Sequence, residues 1–145
     1  MNKLIKAFWF VTLLITMAVL LYTYASFAEA QIVNIQDNVG NISRESFFYL
    51  SLVIITLSNF TLYIVARKLK DRENKIAEFV YGWLMSFAVV LNFFFMISMS
   101  FVQVNNSGEM YDFTYLGYLI FIALGFIVLW VLALPIFLLK LKNTA

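Results

Sequence analysis

The sequence predicts an all-α integral membrane protein with four transmembrane helices in an antiparallel up-down bundle. Hydrophobic residues make up 63% of the chain and charged residues only 12%, whereas soluble domains are about half apolar and about a quarter charged. Four long apolar runs separate short polar segments, and nearly all basic residues lie in alternate segments. With 145 residues, the chain has room for a single four-span domain.

Each apolar run is close to the roughly 20 residues that cross a hydrocarbon core. Because backbone groups in lipid must be paired within their own segment, we expect each run to form a helix. The predicted spans are about 7–27, 47–66, 79–102 and 115–139, with outer loops 28–46 and 103–114 and an inner loop 67–78. We expect the inner loop to extend its adjoining helices into a tight hairpin.

The basic residues predict the orientation, with both termini in the cytoplasm. Nine of the ten would lie on the inner side: Lys3, Lys6, Arg67, Lys68, Lys70, Arg72, Lys75, Lys140 and Lys142. Arg44 alone falls in an outer loop. Short basic loops next to apolar spans stay in the cytoplasm, so the basic pI reflects orientation rather than nucleic-acid binding. This plan suits a bacterial cytoplasmic (inner) membrane, with an organelle membrane as the alternative.

The first span has an alternative interpretation as a signal peptide. Lys3 and Lys6 form a basic start, and Ala28-Glu29-Ala30 fits a small-x-small cleavage site. The apolar stretch, however, exceeds the roughly 7–15 residues of a signal-peptide core. We therefore expect a transmembrane helix, and the orientation of the other three spans is the same under both interpretations.

Local signals define the outer segments. Ser43 can cap the second helix and Asp112 the fourth, since short polar side chains accept hydrogen bonds from the first backbone N–H groups of a helix. Apolar Ile32, Val33 and Ile35, with an Asn-Val-Gly-Asn turn at 38–41, predict a small β-hairpin that lies on the outer surface or docks on a partner.

A weak internal similarity suggests two repeated helical hairpins. The segment Phe47-Phe48-Tyr49-Leu50-Ser51 resembles Phe113-Thr114-Tyr115-Leu116-Gly117, and both segments begin an outer helix end. The alternative is that aromatic residues at membrane interfaces make unrelated helix starts look alike.

The composition excludes several kinds of chemistry. There is no Cys and no His, so thiol nucleophiles, imidazole acid–base catalysis and the usual zinc and haem ligands are missing. The four predicted spans also contain no Asp, Glu, Lys or Arg, the residues that mark ion and proton routes in membranes. We therefore expect no enzyme, no catalytic, cofactor-binding or metal-binding residue, and no soluble small-molecule substrate.

Asn59 and Asn92 are the most polar residues well inside the spans. An amide in hydrocarbon must find partners, and other helices supply them. At about 1.5 Å rise per residue, Asn59 lies level with Ser86, and Asn92 lies nearer to Thr56 and Ser51. We interpret these residues as helix-packing contacts; the alternative is a polar substrate site between the second and third spans.

The fourth span carries a winding stripe of small residues. Gly117, Gly125 and Ala133 recur at a spacing that drifts by about 80° around the helix each time, and small residues allow close approach of neighbouring helices. Pro135 cannot donate a hydrogen bond to the carbonyl of Val131, so it predicts a kink that is either a hinge or a fit to neighbouring helices.

These features favour a small non-catalytic accessory or structural subunit, or an assembly factor, of a larger bacterial inner-membrane complex. Respiratory, proton-driven motor and secretion assemblies use such subunits. The expected partners are the lipid bilayer and other integral membrane subunits. The alternative function is a small oligomeric transporter or channel with a polar site between spans two and three.

Overall fold

The computed structural model describes residues 2–29, 31–36, 40–70, 74–108 and 114–143. The chain folds into α1 (Asn2–Ser26), β1 (Ile32–Gln36), β2 (Gly40–Ser43), α2 (Arg44–Lys70), α3 (Lys75–Asn105) and α4 (Thr114–Asn143). All four helices are long and apolar enough to cross a membrane, which confirms the four predicted helices. The predicted cap Asp112 and the repeat start at Phe113 lie outside the described residues.

The helices extend beyond the apolar spans, and local side chains define their ends. α2 continues to Lys70 and α3 begins at Lys75, so the prediction that the inner loop extends both helices is confirmed. Asn74 caps α3 because its Oδ1 accepts from the backbone N–H of Ile76 at 3.0 Å. α3 ends at Asn105, and Gly108 follows with a φ of +69°, a conformation that glycine adopts without strain.

The predicted β-hairpin and helix cap are both confirmed. β1 and β2 pair antiparallel, with Val33 opposite Ile42, and the Val33 side chain is fully buried against the helix ends. Ser43 Oγ accepts from the backbone N–H of Ser46 at 3.1 Å, which satisfies one of the free donors in the first turn of α2.

Asn106 attaches the β-hairpin to the end of α3. The side-chain Oδ1 of Asn106 accepts from the Asn34 backbone N–H, and Asn106 Nδ2 donates to the Asn34 carbonyl, both at 2.8 Å. The Asn106 amide thus pairs with the outer edge of β1 as a third strand would, and it protects that edge from other partners.

Arg44, predicted to be the one outer basic residue, closes the end of α1. Its Nη1 donates to the carbonyl of Phe27 at 2.9 Å, and its guanidinium lies 4.5 Å from the centre of the Tyr24 ring. The carbonyls at the end of a helix have no partner within the helix, so Arg44 stabilises α1 both by hydrogen bonding and by cation–π contact.

α3 is the central helix, since it contacts each of the other three. α1 and α2 also contact each other, whereas in the described ranges α4 packs on α3 alone among the helices. The start of α1 lies beside the end of α2, where the Trp9 and Tyr63 rings stack with their centroids 5.2 Å apart. The start of α3 lies beside the end of α4, where the Phe79 and Phe137 rings are 5.8 Å apart.

These contacts bring the basic helix ends together. We call this side, which carries Lys3, Lys6, Lys70, Lys75 and Lys140, the basic end, and the opposite side the hairpin end. The core of α1, α2 and α3 has an apolar cluster near each end. The cluster at the hairpin end contains Leu20, Phe27, Val33, Phe47, Ile55, Met99 and Val102; the cluster at the basic end contains Trp9, Ala66, Tyr81, Met85, Ala88 and Val89.

Candidate functional site: a buried polar layer

Between the two apolar clusters lies a set of hydrogen-bonding side chains from three helices, which we call the polar layer. It consists of Trp9, Thr12 and Thr16 from α1, Asn59 from α2 and Asn92 from α3. These residues are between 0% and 8% exposed. A polar group buried this deeply is costly unless it is hydrogen-bonded, so the partners of each group decide what the layer can do.

Asn59 and Asn92 join α2 to α3. Asn59 Nδ2 donates to Asn92 Oδ1 at 2.8 Å and also to the carbonyl of Ile55 in its own helix at 3.0 Å. Asn59 Oδ1 accepts from the indole Nε1 of Trp9 at 2.8 Å. The Asn59 amide therefore links all three helices of the core, with both of its N–H donors in use.

α1 completes the layer through two threonines. Asn92 Nδ2 donates to the hydroxyl of Thr12 at 3.3 Å, and that hydroxyl donates to the carbonyl of Trp9 at 2.8 Å. Thr16 donates to the carbonyl of Thr12 at 2.8 Å and lies 3.5 Å from the backbone carbonyl of Asn92. Each hydroxyl has a partner, and the interhelical bonds fix the rotation of α1 against α3.

The hydrogen-bonding groups of the polar layer are paired within the layer and with nearby backbone carbonyls. The layer has no ionisable side chain, and its amide and hydroxyl groups are occupied by one another or by backbone carbonyls. A polar substrate would have to break these bonds before it could form its own. In the described part of the chain, no group of three or more Asp or Glu residues could hold a metal ion.

Ser86, which the residue count places level with Asn59, bonds within its own helix instead. The Ser86 hydroxyl donates to the carbonyls of Gly82 and Trp83 in its own helix, both at 2.9 Å. Likewise Asn92 bonds to Asn59 and Thr12 rather than to Thr56 or Ser51. Ser86 lies on the face of α3 that lines a cleft with Trp130 of α4, so the rotation of α3, which a count of heights does not give, turns Ser86 away from Asn59.

Trp9, Thr12 and Thr16 were not among the predicted site residues, although the sequence contains a signal for them. The buried residues of α1 are Trp9, Thr12, Thr16, Leu20 and Thr23, and they follow one another at intervals of three or four. Such spacing places residues on one face of a helix. Polar residues repeated on one face of an apolar helix would have predicted that this face of α1 packs against the other helices.

The two predicted glycines of α4 have open space beside them, whereas Ala133 lies in the lining of a cleft between α3 and α4. A Cβ atom built on Gly117 or Gly125 meets nothing within 4 Å, and Gly125 is exposed. Pro135 is also exposed and lies within α4, which remains one continuous helix from Thr114 to Asn143. The kink predicted at Pro135 stays a prediction.

No protein-family model matches the chain, and no curated protein or solved structure is significantly similar to it.

Proposed function

We propose that this chain is a small non-catalytic subunit, or an assembly factor, of a larger complex in a bacterial inner membrane. The four helices cross the membrane as an up-down bundle, with both termini and the basic end in the cytoplasm. In this proposal α1, α2 and α3 form a self-contained core. α4 is the helix that binds a neighbouring membrane subunit.

The distribution of charge supports the orientation. The contacts among the helices bring Lys3, Lys6, Lys70, Lys75 and Lys140 to one end of the molecule, as short cytoplasmic segments require. At the other end, the guanidinium of Arg44 is engaged by a helix carbonyl and an aromatic ring. Arg44, the one basic residue predicted outside the cytoplasmic segments, thus has a structural role at the end of α1.

The observation that carries the proposal is the environment of α4. None of its described side chains is buried, whereas a third of the apolar stretch of α3 is. Trp130 lies on the side of α4 that contacts α3. At about 100° per residue, the exposed Gly125 lies about 140° around the helix from Trp130. Gly125 therefore faces away from α3. Helix association in membranes depends on close packing at small residues, so an open glycine between exposed Phe121 and Leu129 suits another helix.

The polar layer makes the transporter alternative less favourable. That function needs a polar site between α2 and α3 that can open to a substrate. Asn59 and Asn92 instead bond to each other and to α1. The same residues give the packing role a direct physical explanation.

Photo-crosslinking in intact membranes tests the proposal. The photoreactive analogue p-benzoylphenylalanine would replace Phe121, which is 73% exposed on the glycine side of α4, or Phe60, which is 60% exposed on α2. We expect a discrete adduct with one other protein from Phe121 and none from Phe60. Gly125→Leu should remove the Phe121 adduct, because the leucine side chain fills the open space at Gly125 where the neighbouring helix would pack.

The mass of the adduct separates the two functions. An adduct of about twice the 16.8 kDa chain mass would indicate a second copy and would favour the oligomeric transporter. Equal adducts from both positions, or a Phe121 adduct that survives Gly125→Leu, would contradict the assignment of α4 as the specific contact. Failure to form any protein adduct at Phe121 would overturn the subunit proposal.

A further inference from the structure

A cleft lies between α3 and α4, and Ile5 of α1 is also in its lining. Its volume is about 530 Å³, within the roughly 300–1,000 Å³ range of small-molecule sites. Two contacts hold the helices on either side of it: Trp83 Nε1 donates to the carbonyl of Trp130 at 3.1 Å, and the Phe79 ring packs on Phe137. Gly82 leaves the space open, since a Cβ atom there would meet nothing within 4 Å.

The cleft is apolar inside and charged at one end. Aromatic rings of Phe79, Trp83, Trp130 and Phe137 form much of its wall, while Lys75 and Glu78 lie at the basic end. Such a gradient fits an amphiphile, whose hydrocarbon part enters the cleft and whose polar head remains at the end.

The charges near the opening favour an anionic head. Lys75 is in the lining, Lys140 follows the lining residue Phe137 by about one turn of α4, and Lys3 lies two residues before the lining residue Ile5 of α1. These cations outnumber Glu78. Basic pockets between transmembrane helices on the cytoplasmic side are suited to anionic lipid head groups.

The inner wall of the cleft offers a ligand few free polar groups. Ser86, the neutral hydroxyl in the lining, already donates to carbonyls of its own helix. The inner part of the cleft therefore suits hydrocarbon rather than a polar group.

We infer that the cleft binds one anionic phospholipid. One acyl chain lies between α3 and α4, and the phosphate lies at Lys75. The inference rests on the membrane location in the proposed function, but it does not depend on a protein partner.

Native mass spectrometry of the detergent-solubilised full chain tests the inference with two probes of equal chain length, phosphatidylglycerol and phosphatidylcholine. We expect the wild-type chain to retain one phosphatidylglycerol molecule and much less phosphatidylcholine. Gly82→Leu should reduce retention by about tenfold, because the new side chain displaces buried methylene groups of the lipid. Lys75→Gln should remove the preference for the anionic lipid.

Two further variants complete the design. Ala133→Leu fills the same cleft from α4, so it replaces Gly82→Leu if that variant does not fold. Gly125→Leu makes the same change at an exposed glycine of α4 that does not line the cleft, and it should retain lipid as the wild-type chain does. Circular dichroism checks that each variant is helical.

Equal retention of both lipids by the wild-type chain, or unchanged retention in folded Gly82→Leu and Ala133→Leu, would overturn the inference. The crosslinking experiment has a different readout. Loss of the specific Phe121 adduct with lipid retention intact would remove only the subunit proposal, and the reverse result would remove only the lipid site.

Discussion

Replacing Asn92 with leucine would test whether the polar layer holds the three core helices together. The change removes the acceptor of Asn59 Nδ2 at 2.8 Å and the donor to Thr12 at 3.3 Å. Interhelical hydrogen bonds in membrane proteins contribute about 0.6 kcal/mol on average and about 1.7 kcal/mol at most. We therefore expect the free energy of unfolding to fall by about 1–3 kcal/mol, with the upper part of the range reached if the buried Asn59 amide stays unpaired.

Reversible unfolding in mixed micelles, followed by circular dichroism as the fraction of denaturing detergent rises, measures this change. Asn105→Leu provides a matched control, since Asn105 lies on the same helix and is exposed. Its free energy of unfolding should change by less than about 0.5 kcal/mol. Asn59→Leu should destabilise the fold by an amount similar to Asn92→Leu, because each substitution breaks the bond between the two amides.

The double variant isolates that bond. If the Asn59–Asn92 pair is energetically coupled, the double variant should be less destabilised than the sum of the two single variants by about 1 kcal/mol. Strictly additive effects would show that the two amides do not stabilise each other. An Asn92→Leu variant as stable as the wild type would refute the assignment of the polar layer as the link between the core helices.

Two further substitutions test the other contacts of α3. Asn106→Ala removes both 2.8 Å hydrogen bonds to Asn34. Hydrogen–deuterium exchange at the Asn34 amide should accelerate by about tenfold for each 1.4 kcal/mol lost. An unchanged exchange rate would show that other contacts hold the hairpin. Trp83→Phe removes the 3.1 Å hydrogen bond to the carbonyl of Trp130. The distribution of distances between spin labels on α3 and α4, measured by electron paramagnetic resonance, should become broader. An unaltered distribution would show that the aromatic rings alone hold α4 against α3.

Features that depend on neighbouring residues in the chain could be predicted from the sequence. Helix number follows from the length of apolar runs, because backbone hydrogen bonds must be formed within each run. The cap at Ser43 and the hairpin that contains Val33 follow from local hydrogen bonding and alternating polarity. Each of these depends on a short segment whose geometry is nearly independent of the rest of the fold.

Contacts between helices could not be predicted as well. Counting residues placed Asn59 level with Ser86, but Asn59 bonds to Asn92 and Trp9. Counting residues along two helices gives the heights of their backbones. It does not give the rotation of each helix, or the lean of each side chain toward its own helix start. Trp9, Thr12 and Thr16 recur at intervals of three and four residues, so their shared face on α1 could be recognised, but not which residues of α2 and α3 they meet.

The environment of α4 provides support for the membrane location that is independent of charge. α4 is the most apolar of the four helices, and it is the one with no buried residue in its apolar stretch. In water the most apolar helix would be the most buried one, since apolar surface is driven out of contact with water. Lipid removes that driving force, and polar groups then gain most from burial. The fully buried positions of Thr16 and Asn92, beside an apolar helix left outside, are what a hydrocarbon solvent selects. A water-soluble form of this chain would have to cover α4 first.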